Sequence, residues 1–337
     1  MDAMQKRSST IQDVARRAGV GVGTVSRVLN DHPNVTQATR EQVLRVIADL
    51  GYRPKSAAVT LRTRQTREIG LITDEIATTP FAFDLIRGAQ DEAWAHQSIL
   101  VLINTSGNLD LLNAALDQMY DRQVRGVLYA AMFHQPVNLP ERFRELPAVL
   151  VDCYSEDRSL PSVVPNEIQG GQDAVATLLQ HGHRRIGFIN YTTDQPAVVG
   201  RLEGYRRALA AAGVAYDPTL VRQADIAPEA VYRTTIQLMQ QPDRPTALFC
   251  FNDRTAMWAY DALRDLALRV PEEVAVIGFD NQELLAANLR PPLTTMQLPH
   301  YEMGRWAVHH LIAGNPQPSP TAPQVQLDCP LVWRASV

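Results

Sequence analysis

The chain has 337 residues, enough for two or three compact units. Its formal net charge of −4 hides an asymmetry, because residues 1–67 hold 12 Lys+Arg against 5 Asp+Glu while the rest holds 20 against 31; a basic head, the electrostatic footprint of phosphate binding, precedes an acidic body. Three widely spaced cysteines, Cys153, Cys250 and Cys329, fit neither a disulfide framework nor a zinc pattern and read as buried cytosolic thiols; the chain shows neither the N-terminal apolar stretch that a secreted solute-binding protein would need nor a membrane-spanning run, so a cytoplasmic protein is expected.

The head reads as three helices. Thr10 caps the first, with Asp13 three residues later completing a capping-box pair. Val14, Ala15 and Ala18 form its apolar stripe, Gly19 stops it, and Val20 plugs the turn. A second helix spans about Gly21 to Leu29, with Val25, Val28 and Leu29 turned inward. Thr36 starts a third, which carries Val43, Val46, Ile47 and Leu50 and ends at Gly51. Two short helices joined by a tight turn and braced by a third can place the second in the major groove of DNA. Its outward face carries Val22, Gly23, Thr24, Ser26, Arg27 and Asn30. Arg27 can pair bidentately with guanine, and the two hydroxyls suit phosphate or base contact. A small three-helix bundle with no nucleic-acid role is the plain alternative.

This segment resembles the LacI/GalR transcription regulators. It carries T-x-x-D-V-A-x-x-A-G-V from Thr10, T-V-S-R-V-L-N from Thr24, T-R-x-x-V from Thr39 and L-G-Y-R-P from Leu50. The likeness continues through HGHRRIGFI, GRLEGYRRAL, ALFCFNDRTAMWAYDAL, VAVIGFDN and RPPLTTMQLPHYEMG. It implies base-reading positions at Val22, Gly23 and Arg27. It implies phosphate or base contacts at Thr10, Thr24, Ser26, Asn30, Asn34 and Thr39, and a backbone contact at Tyr52. It also implies a hinge helix over 55–62, with Lys55 at its start, Ala58 near the groove floor and Leu61 as a minor-groove wedge. Gly21 stands where Ser is usual, Lys55 where Asn is usual and Val59 where Arg is usual. Val22 and Gly23 leave little beyond a thymine-methyl contact.

From RTRQTRE (62–68), a polar linker, the pattern changes. The runs IGLIT, ILVLI, GVLYA, AVLVD, IGFIN, TALFC and VAVIGF alternate with amphipathic stretches near 84–97, 109–121, 167–182, 199–212, 228–241 and 252–267. Such alternation argues for parallel sheets with helices on both faces, and seven or more strands suggest two lobes. The expected fold is α/β: an N-terminal all-α helix-turn-helix head (1–54), a hinge and linker (55–67), and a body (68–337). By resemblance the body is periplasmic-binding-protein-like, with two doubly wound parallel sheets and three crossings between lobes. One lobe would comprise about 68–163 and 292–322, the other about 164–291 and 323–337.

Ligands in such folds bind at the carboxyl ends of strands. Asp152 ends AVLVD, Asn252 and Asp253 follow TALFCF, Asp280 ends VAVIGFD, and Arg201 opens a helix. Carboxylates, an amide and a guanidinium converging there can grip hydroxyls. The resemblance places effector contacts at Asp152, Arg201, Asn252 and Asp280, with Phe81 lining the first lobe. Ile226 and His300 fall where sugar-binding members often carry aromatics; His300 can stack or donate, whereas Ile226 cannot stack. Each residue also has a structural reading: Asn252 or Asp280 as a helix cap, Asp152 as a crossing turn, Arg201 paired with Glu203 or Asp194. Asp253 is read as a helix N-terminal carboxylate.

GVGVG at 19–23 follows a helix rather than a strand, so it is no dinucleotide loop. His181 and His183 lack a third ligand and read as a helix-to-strand turn. His309 and His310 point to different helix faces. There is no nucleophile elbow, HExxH or P-loop, so neither catalysis, cofactor nor metal is expected. The resulting expectation is a repressor of carbohydrate-use genes, released from a near-palindromic operator by a sugar effector. The chain ends without leucine heptads, which favours a homodimer over a tetramer. Alternatives are a co-repressor-dependent regulator using a purine or a phosphocarrier protein, and a sugar-binding or sugar-processing protein with a fused helical head.

Overall fold

The computed structural model describes residues 9–29, 32–52, 66–314 and 316–337. The chain divides into two units, Met1–Thr66 and Arg67–Val337.

In the head, α1 (Ile11–Arg17), α2 (Val22–Leu29) and α3 (Gln37–Leu50) form one bundle. The capping box is present: the Thr10 hydroxyl accepts from the Asp13 amide at 3.3 Å, and the Thr10 amide donates to Asp13 Oδ2 at 3.0 Å. Gly19 (φ +61°) makes the turn, and Gly51 (φ +56°) ends α3 in the left-handed conformation. Val14, Ala15, Ala18, Val25, Val28 and Val43 are buried, with Val20, Val46, Ile47 and Leu50 packed against them. Full burial of such a side chain contributes ~1.5–3 kcal/mol, which holds three helices too short to persist alone. Helix α2 starts after Gly21, so no side chain caps it.

The body has two six-stranded sheets. The first has β1 (Glu68–Thr73), β2 (Ile99–Asn104), β3 (Val127–Val137), β4 (Ala148–Ser155), β5 (Ser162–Pro165) and β11 (Gln324–Leu327), in the order β11-β5-β4-β3-β1-β2, all parallel. Helices α4 (Ala82–Ala95) and α11 (His300–Gly314) cover one face and α5 (Leu109–Asp121) the other. The period-2 alternation decides the faces: Leu71 and Leu128 pack with α4 and α11, whereas Ile72, Val127 and Tyr129 pack with α5. The second sheet has β6 (Ile186–Tyr191), β7 (Val221–Ala224), β8 (Ala247–Cys250), β9 (Ala275–Asp280), β10 (Thr294–Gln297) and β12 (Leu331–Val332), ordered β12-β10-β9-β8-β6-β7. Only the β10–β12 pair is antiparallel. Helices α6 (Glu167–Gln180) and α7 (Pro196–Ala211) pack on one face, and α8 (Pro228–Met239), α9 (Asp253–Asp265) and the one-turn α10 (Glu283–Ala286) on the other.

Two short strands lie in the opposite lobe from the one expected. β10 falls in 292–322 yet pairs with β9, Thr294 opposite Ile277. β11 falls in 323–337 yet pairs with β5, Gln324 opposite Ser162. The crossings therefore lie near Asn166, between Gln297 and His300, and at Asp328. A four-residue strand has no local signal for its partner; the ladder selects it, from 17 residues away for β10 and 162 for β11. The short strands β5, β7, β10, β11 and β12 and the helix α11 were absent from the runs read in the sequence. No helix among the described residues is long and apolar enough to cross a membrane.

Candidate functional site

Helix α2 displays its outer face as expected. Val22, Gly23 and Arg27 are exposed, and Thr24 and Ser26 partly so. Asn34 is exposed and Thr39 half-buried, with the Thr36 hydroxyl 2.8 Å from that of Thr39. Tyr52 is half-buried against the head core. Thr10 is exposed, its hydroxyl engaged in the cap of α1. Asn30, Lys55, Ala58 and Leu61 lie outside the described residues.

In the body, a cavity of about 60 Å³ is lined by residues of both lobes, among them Phe81, His134, Asp152, Glu167, Arg201, Asn252, Asp280 and His300. It shares Phe81, Asp280, Leu298 and His300 with an adjoining cavity of about 280 Å³. All six expected effector residues thus meet at one place. Ile226 does not line it and is 54% exposed.

The backbone that presents these groups is irregular. Ala130 pairs with Val151 and Gln135 with Cys153, so Ala131–His134 of β3 bulge opposite Asp152 alone. The bulge carries Met132, Phe133 and His134 to the cavity. Asp152 sits at φ +57° and Asp280 at φ +101°, conformations that cost of order 1–3 kcal/mol each and cluster at functional sites. Asp152 therefore lies inside β4, neither at its end nor at a lobe crossing.

Arg201 lies one turn inside α7 rather than opening it. Neither Glu203 nor Asp194 pairs with it; Glu203 binds Arg207 at 2.7 Å. Arg201 Nε instead donates to Glu167 Oε2 at 2.8 Å, Nη1 donates to the Phe251 carbonyl, and Nη2 lies 3.6 Å from Asp280 Oδ1. Its guanidinium also stacks over Phe279 at 3.7 Å. The pair forms because α6 and α7 approach closely: a Cβ at Gly204 would lie 2.3 Å from the Ile168 carbonyl oxygen. The Arg201 and Glu167 side chains are 3% and 5% exposed. Burial favours the neutral forms of both, but their mutual attraction wins, raising Arg201 and lowering Glu167. Burial instead dominates at Asp280, which is pushed up to about 6 against the pull of Arg201.

His300 Nε2 lies 3.6 Å from Asp152 Oδ2, too long for a hydrogen bond. Burial alone would depress this imidazole, but the Asp152 carboxylate, with Asp280 and Asp84, raises it. Burial raises Asp152 despite His300 and His134. His300 Nε2, Asp152 Oδ1 and His134 Nδ1 are buried with no hydrogen-bond partner among the described residues. Asn252 caps α9, accepting from the Thr255 amide at 2.9 Å, and also lines the cavity. Asp253 is fully buried and accepts from Thr295 Oγ1 and from the Gln282 amide, a structural role.

Sequence reasoning missed His134 and Glu167. His134 lies four residues beyond the run GVLYA, inside β3 on the bulge, and that bulge has no local signal in the sequence. Glu167 follows the cap Asn166 and gives no local signal beyond a helix-terminal acid.

The expected histidine turn is present: His181 Nδ1 contacts the Thr177 carbonyl and His183 Nδ1 contacts Thr246 Oγ1, each at 2.9 Å.

Residues 10–55 match the model for bacterial regulatory proteins of the lacI family, and residues 175–337 that for a periplasmic binding protein-like domain. The chain is 34% identical over 330 residues to the ribose operon repressor of Escherichia coli K12, covering 97% of this chain and 99% of that one. It is 32% identical over 306 residues to the HTH-type transcriptional repressor PurR of Aliivibrio salmonicida, covering 90% and 91%. Among solved structures, the lac repressor dimer bound to operator and the anti-inducer ONPF superposes with a TM-score of 0.77 at 25% identity, over 98% of this chain and 99% of that one.

Proposed function

Because the chain belongs to the LacI family of bacterial regulatory proteins, we propose that it is a ligand-responsive repressor of carbohydrate-use genes, released from its operator by a small neutral sugar. The observation that carries the ligand half is the set of three buried, unpartnered polar atoms around one cavity. A buried donor or acceptor left unsatisfied costs ~1–3 kcal/mol, and a ligand hydroxyl removes that cost. The charge balance supports a neutral ligand. Three carboxylates line the cavity with the imidazoles of His134 and His300, the latter beside Asp152, and its one guanidinium is held by Glu167, the Phe251 carbonyl and Asp280. A phosphate would meet repulsion there.

The head would read a near-palindromic operator as one half of a homodimer, in the cytoplasm where that DNA lies. Arg27 would contact a base, Thr24, Ser26, Asn34 and Thr39 the phosphates or bases, and residues 55–62 the minor groove through Leu61. Effector and operator each prefer a different arrangement of the lobes, so each changes the other's affinity by the same factor.

A thermal-shift series on the full chain tests this against neutral monosaccharides, their phosphates and purines. A neutral sugar is expected to raise Tm and to release operator DNA. Arg201→Ala with Asp280→Ala is expected to abolish both responses while leaving operator affinity unchanged. Stabilisation by a purine that tightens operator binding would instead establish a co-repressor.

A further inference from the structure

The geometry points to a divalent transition-metal site, of the zinc type, on the outer face of the first lobe, built from Glu92, His96 and His309. Glu92 lies in the last turn of α4, His96 directly follows that helix, and His309 comes from α11. The two helices are held in register by backbone contact: a Cβ at Gly88 would lie 2.0 Å from the Tyr301 carbonyl oxygen, and one at Gly304 would lie 2.2 Å from that of Leu85. Such an approach leaves little freedom to the groups they carry.

Glu92 Oε1 lies 3.3 Å from His96 Nε2 and 3.1 Å from His309 Nδ1. A tetrahedral zinc ion with N and O ligands at ~2.0–2.1 Å has ligand–ligand edges of about 3.3 Å. Two edges of such a tetrahedron are therefore already set. The third, between the imidazoles, is within 4.8 Å and closes by ring rotation. The rings stand at 61° to each other with centroids 6.1 Å apart, so they converge without stacking.

The chemistry of the donors agrees. Two imidazoles and a carboxylate form a ligand set suited to zinc and its neighbours. Arg305 donates from Nε and Nη2 to Glu92 Oε2, each at 3.2 Å. That orients the carboxylate and leaves Oε1 for the ion, the outer-shell arrangement metal-binding carboxylates use. The Glu92 side chain is 10% exposed, whereas those of His96 and His309 are 39% and 63% exposed. The ion therefore has an entry path, and water completes its coordination. On binding, His309 gives up its hydrogen bond to Glu92 and His96 its ion-pair contact, and each imidazole carries its proton on the far nitrogen.

The test is a Zn²⁺ titration of the untagged full chain in competition with a chromophoric chelator. One Zn²⁺ per chain is expected, and Co²⁺ in its place should give the intense visible bands of a tetrahedral ion. His309→Ala and His96→Ala should each weaken binding at least ~tenfold, as loss of a direct ligand must at minimum match loss of an outer-shell partner. Both side chains are substantially exposed, so these variants should keep the parent's far-ultraviolet circular dichroism. His310→Ala, whose ring stacks on Trp306 at 4.8 Å, should leave affinity unchanged. Zn²⁺ binding undiminished in His309→Ala, or none in the parent below about 100 µM, would overturn the assignment.

Discussion

Helix α2 in the head and the strand ends of the body hold their candidate residues in opposite ways. α2 turns Val22, Gly23 and Arg27 outward from a purely apolar core. The body turns Asp152, Glu167, Arg201, Asp280 and His300 inward, where their charges must be balanced within the protein. An outward display leaves recognition nearly free of stability. An inward one ties the two together, because every ligand contact is also a buried polar group.

Substitutions can break or sharpen that contrast. The largest effect is expected at Glu167→Ala, which leaves the buried Arg201 guanidinium with the Phe251 carbonyl and, for charge, only the longer contact to Asp280. Removing one partner of a buried pair costs ~3–5 kcal/mol. Urea unfolding that shows a loss under about 1 kcal/mol would mean the pair is solvated and the contrast false.

Asp280 sharpens it through pH. A carboxyl raised in the folded state contributes stability that is complete below its unfolded value, about 3.9, and is lost as pH rises through about 6. Asp280→Asn removes that loss, so the variant should gain on the parent between pH 4 and 7, by up to ~3 kcal/mol. A difference independent of pH would show that the charged form carries no burial cost.

Arg27→Ala should behave in the opposite manner. Unfolding should shift by less than ~0.5 kcal/mol, as for exposed sites generally. Operator affinity should fall by ~1–3 kcal/mol, read by fluorescence anisotropy at fixed salt. An equal loss on non-specific DNA would reduce Arg27 to a phosphate contact. Gly23→Ala is expected to be the mildest. Nothing lies within 4 Å of the added Cβ, and the helix should gain at most ~1 kcal/mol while base preference at one operator position changes.

The head was legible because its determinants are local. A cap at Thr10, a left-handed stop at Gly19 and apolar residues at helical spacing each act within a few residues. The parallel-sheet character and the polar residues Asp152, Asn252 and Asp280 that close the apolar runs were legible for the same reason, although Asp152 lies inside β4 and only Asp280 ends its strand. The irregular features were not. The Ala131–His134 bulge depends on pairing with β4, and the lobe assignment of β10 and β11 depends on ladders with β9 and β5.

The sequence by itself determined the three-helix head, the alternation of strands and helices, the inward stripes and the residue types at the strand ends, because turns, caps and periodicity are short-range properties of the chain. Only the tertiary structure decided which charges meet. Glu167 finds Arg201 because two helices approach through glycine. His309, set aside in sequence because His310 faces elsewhere, finds Glu92 and His96 217 and 213 residues away. Coulombic and coordinate interactions act over a few ångströms of space, and packing of the two lobes sets those distances.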